Sequence, residues 1–392
     1  MLGIFIHAFF CYTQESAMSS PKVSILIPTY NVEPYLVQCM ESVTNQTLKD
    51  IEIVCINDGS TDNSLKILQE YAAKDPRIVL IDKHNEGYGI GMNIGLEKAT
   101  GEYIGIVEPD DFVPVEMYGD LYKIASENDL DFVKADFYRF VSNEDGTLDK
   151  TLFELSKEKA DYNKVFDPSQ TPSALKYVMN TWSGIYKRSF LNENNIRHNT
   201  TPGASYQDNG FWIQTFVFAK RAMIVDKPYY MNRRDNQNSS VYNPNKVYTM
   251  NIEYDHIRDI LIQHPDIWER FKGMYWYKKF YSYDMTMKRI APEFKRDYVY
   301  RYSREMRRGL LQQEYDESVF TPTAWGNIHF LIDDPEGYYV LNSGAGNAGK
   351  RILKLQKELT TIKNSRSYKF SRLLSYIPRK LKSLLKKLFG GK

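Results

Sequence analysis

Four short apolar runs rich in β-branched residues recur early in the chain: Val23 to Ile27, Ile51 to Ile56, Ile78 to Ile81 and Tyr103 to Val107. Short runs without polar alternation suit strands buried on both faces, as in a parallel sheet. Helical spacing fills the intervals. Leu36, Met40 and Val43 follow Pro34, a residue suited to a first helical turn. Leu65, Leu68 and Tyr71 follow the capping run Ser60-Thr61-Asp62. This alternation predicts an α/β fold with a doubly wound, mostly parallel sheet flanked by helices. Thr181 to Phe190 and Gln207 to Ala219 read as a strand and a helix returning to that sheet, with residues 141–170 as a polar, irregular insertion.

The chain has 392 residues, room for a catalytic domain plus an extension. Residues 1–20 form an expected N-terminal extension, 21–240 the catalytic domain, 241–348 a mainly helical region and 349–392 a basic amphipathic tail. Asn245 to Glu317 is helical and Tyr-rich, and Gly326 to Asn347 reads as a small strand-and-turn unit. The 30 tyrosines suit either sugar-stacking surfaces or amphipathic packing. Cys11, Cys39 and Cys55 lack metal or redox spacing, and the latter two read as small buried hydrophobes. A reducing, cytosolic setting fits them. The apolar stretch from Leu2 to Tyr12 is about half of what spans a bilayer, and translation is expected to begin at Met18, with a short membrane anchor as the alternative reading of the segment before it.

The net charge of +2 conceals an asymmetry. Residues 350–392 hold fourteen Lys or Arg and one acid, a net of +13, leaving 37 basic against 48 acidic residues, or −11, elsewhere. An acidic surface is therefore the tail's expected partner. Leu381, Leu384, Leu385, Leu388 and Phe389 fall on one helical stripe flanked by Arg379, Lys380, Lys382, Lys386 and Lys387. That pattern fits a helix lying in an anionic membrane interface, or alternatively one packed on the acidic body. Nucleic acid is not an expected partner.

Ligands of open parallel sheets bind beyond the carboxyl ends of the strands. Here those ends read Pro28-Thr29-Tyr30-Asn31, Asn57-Asp58-Gly59-Ser60, His84-Asn85-Glu86-Gly87 and Glu108-Pro109-Asp110-Asp111. Buried strands do not need this polarity, so a binding site is the economical explanation. Mg²⁺ or Mn²⁺ takes one or two carboxylates plus substrate phosphates, which the last cluster can supply. Asp is equally favoured as a helix cap, and Asp111 can cap a helix near Pro114 while Asp110 binds metal. Gly87, Gly89 and Gly91 lack the third glycine of a dinucleotide fingerprint, since position 92 is Met, and suit a loop passing close to a ligand.

These four clusters, with the glycine-rich stretch from Asn85 to Gly95 and Gly101-Glu102-Tyr103-Ile104, resemble the family 2 glycosyltransferases of the GT-A fold over about residues 21–240. The resemblance implies a nucleotide-sugar donor, usually UDP-linked, a divalent Mn²⁺ or Mg²⁺, and inversion at the anomeric carbon. It places Pro28, Thr29, Tyr30 and Glu33 about the nucleotide, with Gly87 and Asn93 also on the donor, and gives Asp58 the uracil edge. Glu108-Pro109-Asp110 stands where the family has Asp-X-Asp, so Asp110 would bind the metal and Glu108 face the ribose or a metal water. Asp208, in Ser205-Tyr206-Gln207-Asp208-Asn209, would be the catalytic base, with Gln207 replacing the usual Glu. Its alternative is a helix cap. Trp182 and Tyr206 would stack on the acceptor; Trp182 is otherwise core. Met92 departs from the Arg of many relatives.

The expected activity is transfer of a sugar to a glycan or lipid-linked acceptor in surface-polysaccharide assembly, on the inner face of the cell membrane. A catalytically degenerate binding protein and a sugar nucleotidyltransferase are the alternatives. The second would need an Arg- and Lys-bearing glycine loop after the first strand, and Thr29-Tyr30-Asn31 offers none.

Overall fold

The computed structural model describes residues 20–204, 206–237 and 243–342. The N-terminal extension, Met18, Cys11 and the basic tail lie outside the described residues. Chain contacts define two compact units, which among these residues comprise 20–237 with 252–271, and 243–251 with 272–342.

The first unit opens with strict alternation: β1 (Val23–Thr29), α1 (Glu33–Thr44), β2 (Ile51–Asp58), α2 (Ser64–Ala72), β3 (Ile78–Lys83), α3 (Tyr88–Lys98) and β4 (Tyr103–Ile106). It continues with α4 (Met117–Glu127), β5 (Phe132–Ser142), β6 (Leu148–Phe153), β7 (Gly184–Lys187), α5 (Arg188–Glu193), α6 (Gln207–Phe218) and β8 (Ala222–Arg233). All eight strands join one sheet in the order β3-β2-β1-β4-β7-β5-β6, with β8 paired to β5. The pairs β1–β2, β1–β4, β2–β3 and β5–β8 are parallel, whereas β7 runs antiparallel to β4 and β5, as does β6 to β5. This is the expected mostly parallel α/β sheet.

Burial explains the apolar runs. Val23, Ile25, Leu26 and Ile27 are all fully buried, as are Ile53 to Ile56, because helices cover both faces of the central strands. Cys39 and Cys55 are free and buried in the same core. Residues 141–170, expected to be irregular, contain β6. That strand forms the sheet edge and is mostly exposed, so it carries no apolar pattern.

Two further helices, α7 (Thr249–Leu261) and α8 (Pro265–Arg289), contribute Ile252 onward and residues up to Phe271 to this unit. The second unit is helical, with the remainder of α8, α9 (Pro292–Leu311), α10 (Pro322–Asp333) and α11 (Pro335–Asn342). Its tyrosines are largely packing residues, since Tyr275, Tyr283, Tyr298, Tyr302 and Tyr338 are all buried. The buried Lys279 ammonium is paired with Glu305 at 2.9 Å. The expected strand-and-turn unit at 326–347 is instead helix as far as Asn342. Thr321 caps α10 by accepting from the Ala324 N–H, and prolines open both helices. The interior glycines Gly326 and Gly337 disguised these starts.

Candidate active site

The carboxyl ends of β1, β2, β3 and β4 form one edge of the first unit. The loops after β1 and β2 are tied together there. Asn31 adopts a left-handed backbone (φ 51°), and its Oδ1 accepts the Thr61 N–H at 2.7 Å. Glu33 Oε1 accepts from Asn63 Nδ2 at 2.7 Å, while Asp62 accepts the Glu33 N–H at 3.0 Å. Thr29 is buried at the end of β1, Pro28 is half-buried and Tyr30 is 48% exposed. Glu33 therefore shapes the loop that presents Tyr30.

Asp58 has a structural task of its own. Its Oδ1 accepts from Lys83 Nζ at 2.5 Å and from the Glu86 N–H at 3.0 Å, and its Oδ2 accepts the Gly87 N–H at 2.9 Å. A carboxylate has about four lone-pair directions, so one remains to accept a ligand N–H. Gly87 has φ 99°, and a Cβ there would lie 2.6 Å from the Gly203 nitrogen. At Gly89 a Cβ would lie 1.9 Å from the Asn199 carbonyl oxygen. The expected close approach at these glycines is thus made by the segment 199–204. Asn93 belongs to the same joint: its Nδ2 donates to the His198 carbonyl and its Oδ1 accepts the His198 N–H, both at 2.9 Å. That pairing fixes the orientation of Asn93 and leaves its second amide N–H to meet a donor.

The turn after β4 is clamped by the end of β8. The Glu108 N–H donates to Tyr230 Oη at 2.9 Å, and Arg233 Nε donates to the Asp110 carbonyl at 2.8 Å. Asp110 Oδ2 accepts from Asn236 Nδ2 at 2.9 Å. Asp111 is buried and accepts the Arg233 N–H at 2.6 Å and Asn232 Nδ2 at 3.0 Å. It therefore caps no helix; α4 begins at Met117, and Asp111 fastens β8 to the turn. Burial and the Asp110 charge push the Asp111 carboxyl well above the usual range.

Asp208 lies in the first turn of α6, whose N-cap is Tyr206 in the left-handed region (φ 66°). Four acidic groups interact here. Burial, then the Asp110 charge, pushes Glu108 up to about 8; Tyr88 Oη opposes this by donating to Glu108 Oε1 at 3.0 Å, and the Asp208 charge adds to it. Glu253 is likewise pushed up to about 8, by burial and then by Asp208. Asp208 thus sits within the field of Glu108 and of Glu253. Gln207, where the resemblance expects Glu, donates from Nε2 to the carbonyls of Thr201 and Gly203, both at 2.9 Å, which a carboxylate is unable to do. Trp182 stacks on Tyr230 (centroids 4.2 Å apart) and meets Phe137 edge-on (4.7 Å). It is partly buried and packs against the core.

Sequence reasoning missed Tyr88, Glu253, Asn232, Arg233 and Asn236. The polar run Asn232-Arg233-Arg234-Asp235-Asn236 closing an apolar strand was a legible signal. Glu253 carried none.

Mg²⁺ and Mn²⁺ accept a lean protein ligand set when substrate phosphates complete the sphere. Asp110, oriented by Asn236, together with the acidic Glu108 fits such a set. Among the described residues no group of three or more His, Cys, Asp or Glu is arranged to hold an ion unaided.

Comparison with known proteins agrees with this geometry. Residues 24–191 match the family model described as glycosyl transferase family 2. The chain is 34% identical over 232 residues to the uncharacterized glycosyltransferase EpsJ of Bacillus subtilis, covering 58% of this chain and 64% of that protein. It is 33% identical over 220 residues to the uncharacterized glycosyltransferase YibD of Escherichia coli, covering 54% and 61%. It therefore spans somewhat less than two thirds of either relative. Among solved structures, S. aureus TarS 1–349 in complex with UDP-GlcNAc shares the fold, at TM-score 0.62 and 18% identity, over 85% of this chain and 92% of that one. Residues 24–191 of this N-terminal unit thus form a glycosyl transferase family 2 domain.

Proposed function

We propose that the protein transfers a sugar from a nucleotide-sugar, UDP-linked, to an acceptor hydroxyl with inversion at the anomeric carbon. The observation that carries this reading is the convergence of Glu108, Asp110 and Asp208 at the strand ends, beside the Tyr30 and Asp58 loops. TarS, which shares the fold, binds UDP-GlcNAc, which supports a UDP-sugar as donor.

Tyr30 and the remaining acceptor site of Asp58 take the nucleobase. Glu108, held by Tyr88, faces the ribose side. Asp110 with Glu108 would hold Mn²⁺ or Mg²⁺, which when bound neutralises charge growing on the leaving diphosphate. Asp208 accepts the acceptor's hydroxyl proton as the new C1–O bond forms and the bond from C1 to the diphosphate oxygen breaks. The nucleoside diphosphate leaves with the electron pair. The strand ends hold both reactants in line, which supplies much of the rate. Tyr206, in its left-handed conformation beside Asp208, faces the acceptor. The acceptor is a glycan or lipid-linked hydroxyl, and the basic tail holds the enzyme on the inner face of the cell membrane.

Screening UDP-, GDP- and dTDP-sugars for hydrolysis tests this directly, with Mn²⁺ or Mg²⁺ and with excess chelator. Release of UDP from one UDP-sugar, silenced reversibly by chelator, is expected. Hydrolysis of none contradicts an active transferase and favours the degenerate binding protein.

A further inference from the structure

Resting on the reading of Asp208 as the base, we propose that Glu253 is its positioning residue, reaching the site from a helix outside the matched family domain. Glu253 lies on α7 and is fully buried. Its Oε1 accepts the Gly210 N–H at 2.9 Å, in the first turns of α6, and its Oε2 accepts from Asn199 Nδ2 at 3.0 Å. One carboxylate therefore fastens both chain segments that flank Asp208: the helix that carries it and the segment 199–204 leading to it. Gln207 ties that same segment to α6 from the other side.

Gly210 makes room for this arrangement, since a Cβ there would lie 2.3 Å from Glu253 Oε1. Glycine is disfavoured in a helix interior relative to alanine, and here its lack of a side chain is what admits the carboxylate. Asn199 in turn presses its carbonyl on Gly89, at the start of α3. Glu253 thus connects the base-bearing helix to the loop that Asp58 holds. The Asp208 charge acts on the Glu253 carboxyl, so the two groups are electrostatically coupled as well as mechanically linked.

The test uses the full chain and the UDP-sugar whose hydrolysis is measurable. Glu253→Gln keeps the volume and one acceptor oxygen but replaces the other with an amide that opposes Asn199 Nδ2. The expected result is a kcat about tenfold lower, with the donor KM and UDP affinity within twofold of wild type. Gly210→Ala, which displaces the carboxylate while keeping it, should give the same split. In an Asp208→Asn background Glu253→Gln should cost nothing further, because coupled residues are not additive. Unchanged kcat in a folded Glu253→Gln protein, or an equal loss with and without Asp208, overturns the proposal. Near wild-type turnover by Asp208→Asn itself would instead overturn the base assignment, so the two failures are distinguishable.

Discussion

Arg233 donates from Nε to the backbone carbonyl of Asp110 across 2.8 Å, so the end of the last sheet strand fixes the turn that bears the acidic cluster. The guanidinium is held between Tyr35 and Phe140, 4.7 Å from each ring centroid, and donates from its terminal nitrogens to Ser142 and Gln38. Lysine lacks this planar fork. Arg233→Lys should therefore weaken Mn²⁺ binding to the UDP-loaded protein by about 10- to 100-fold, as loss of outer-shell support does elsewhere. Titration calorimetry checks this, and an unchanged Mn²⁺ affinity would show that the turn holds Asp110 unaided.

Gln207 is buried and donates to two carbonyls and to Thr201 Oγ1. Gln207→Glu restores the residue usual in the family yet sets an acceptor against acceptors. Destabilisation of about 2–3 kcal/mol is expected from chemical denaturation. Equal stability of the two proteins would mean that segment 199–204 rearranges around the acid.

Much of this arrangement was legible because it is local. The strands β1 to β4 announced themselves as short apolar runs, and the polar residues just past them mark the site. The remaining strands depend on partners far along the chain. β8 pairs with β5 across some ninety positions, Phe132 with Ala222 for instance, and nothing near either residue encodes that choice. Asn93 and Glu253 illustrate the same limit at the site: their roles come from His198, Asn199 and Gly210, which only the fold brings near.

Glu253 also predicts a pH dependence of stability. Its carboxyl is raised from the ordinary 4.5 to about 8 in the folded protein. The unfolded chain releases this proton first, so stability is fullest below about 4.5 and declines as pH rises toward 8. Each pKa unit is worth about 1.4 kcal/mol at most. Glu253→Gln should flatten the fall in melting temperature across this window. A fall as steep as that of wild type would show that other groups, such as Asp111, carry the dependence.

The tail sequence, which lies outside the described residues, carries five apolar residues on one helical stripe with basic neighbours. Vesicles containing anionic phospholipid should float with the full chain and not with one ending near Ser365. Binding should weaken as salt rises, because headgroup attraction is screened. Equal flotation of both proteins, or of neither, would contradict membrane attachment through the tail.

The central claim is that Asp208 takes the acceptor proton. Asp208→Asn keeps the shape of the side chain but removes its capacity to accept that proton. Turnover of the UDP-sugar should fall on the order of a hundredfold or more, with UDP affinity unchanged by calorimetry. Turnover near the wild-type rate would contradict the account and assign the base to another carboxylate.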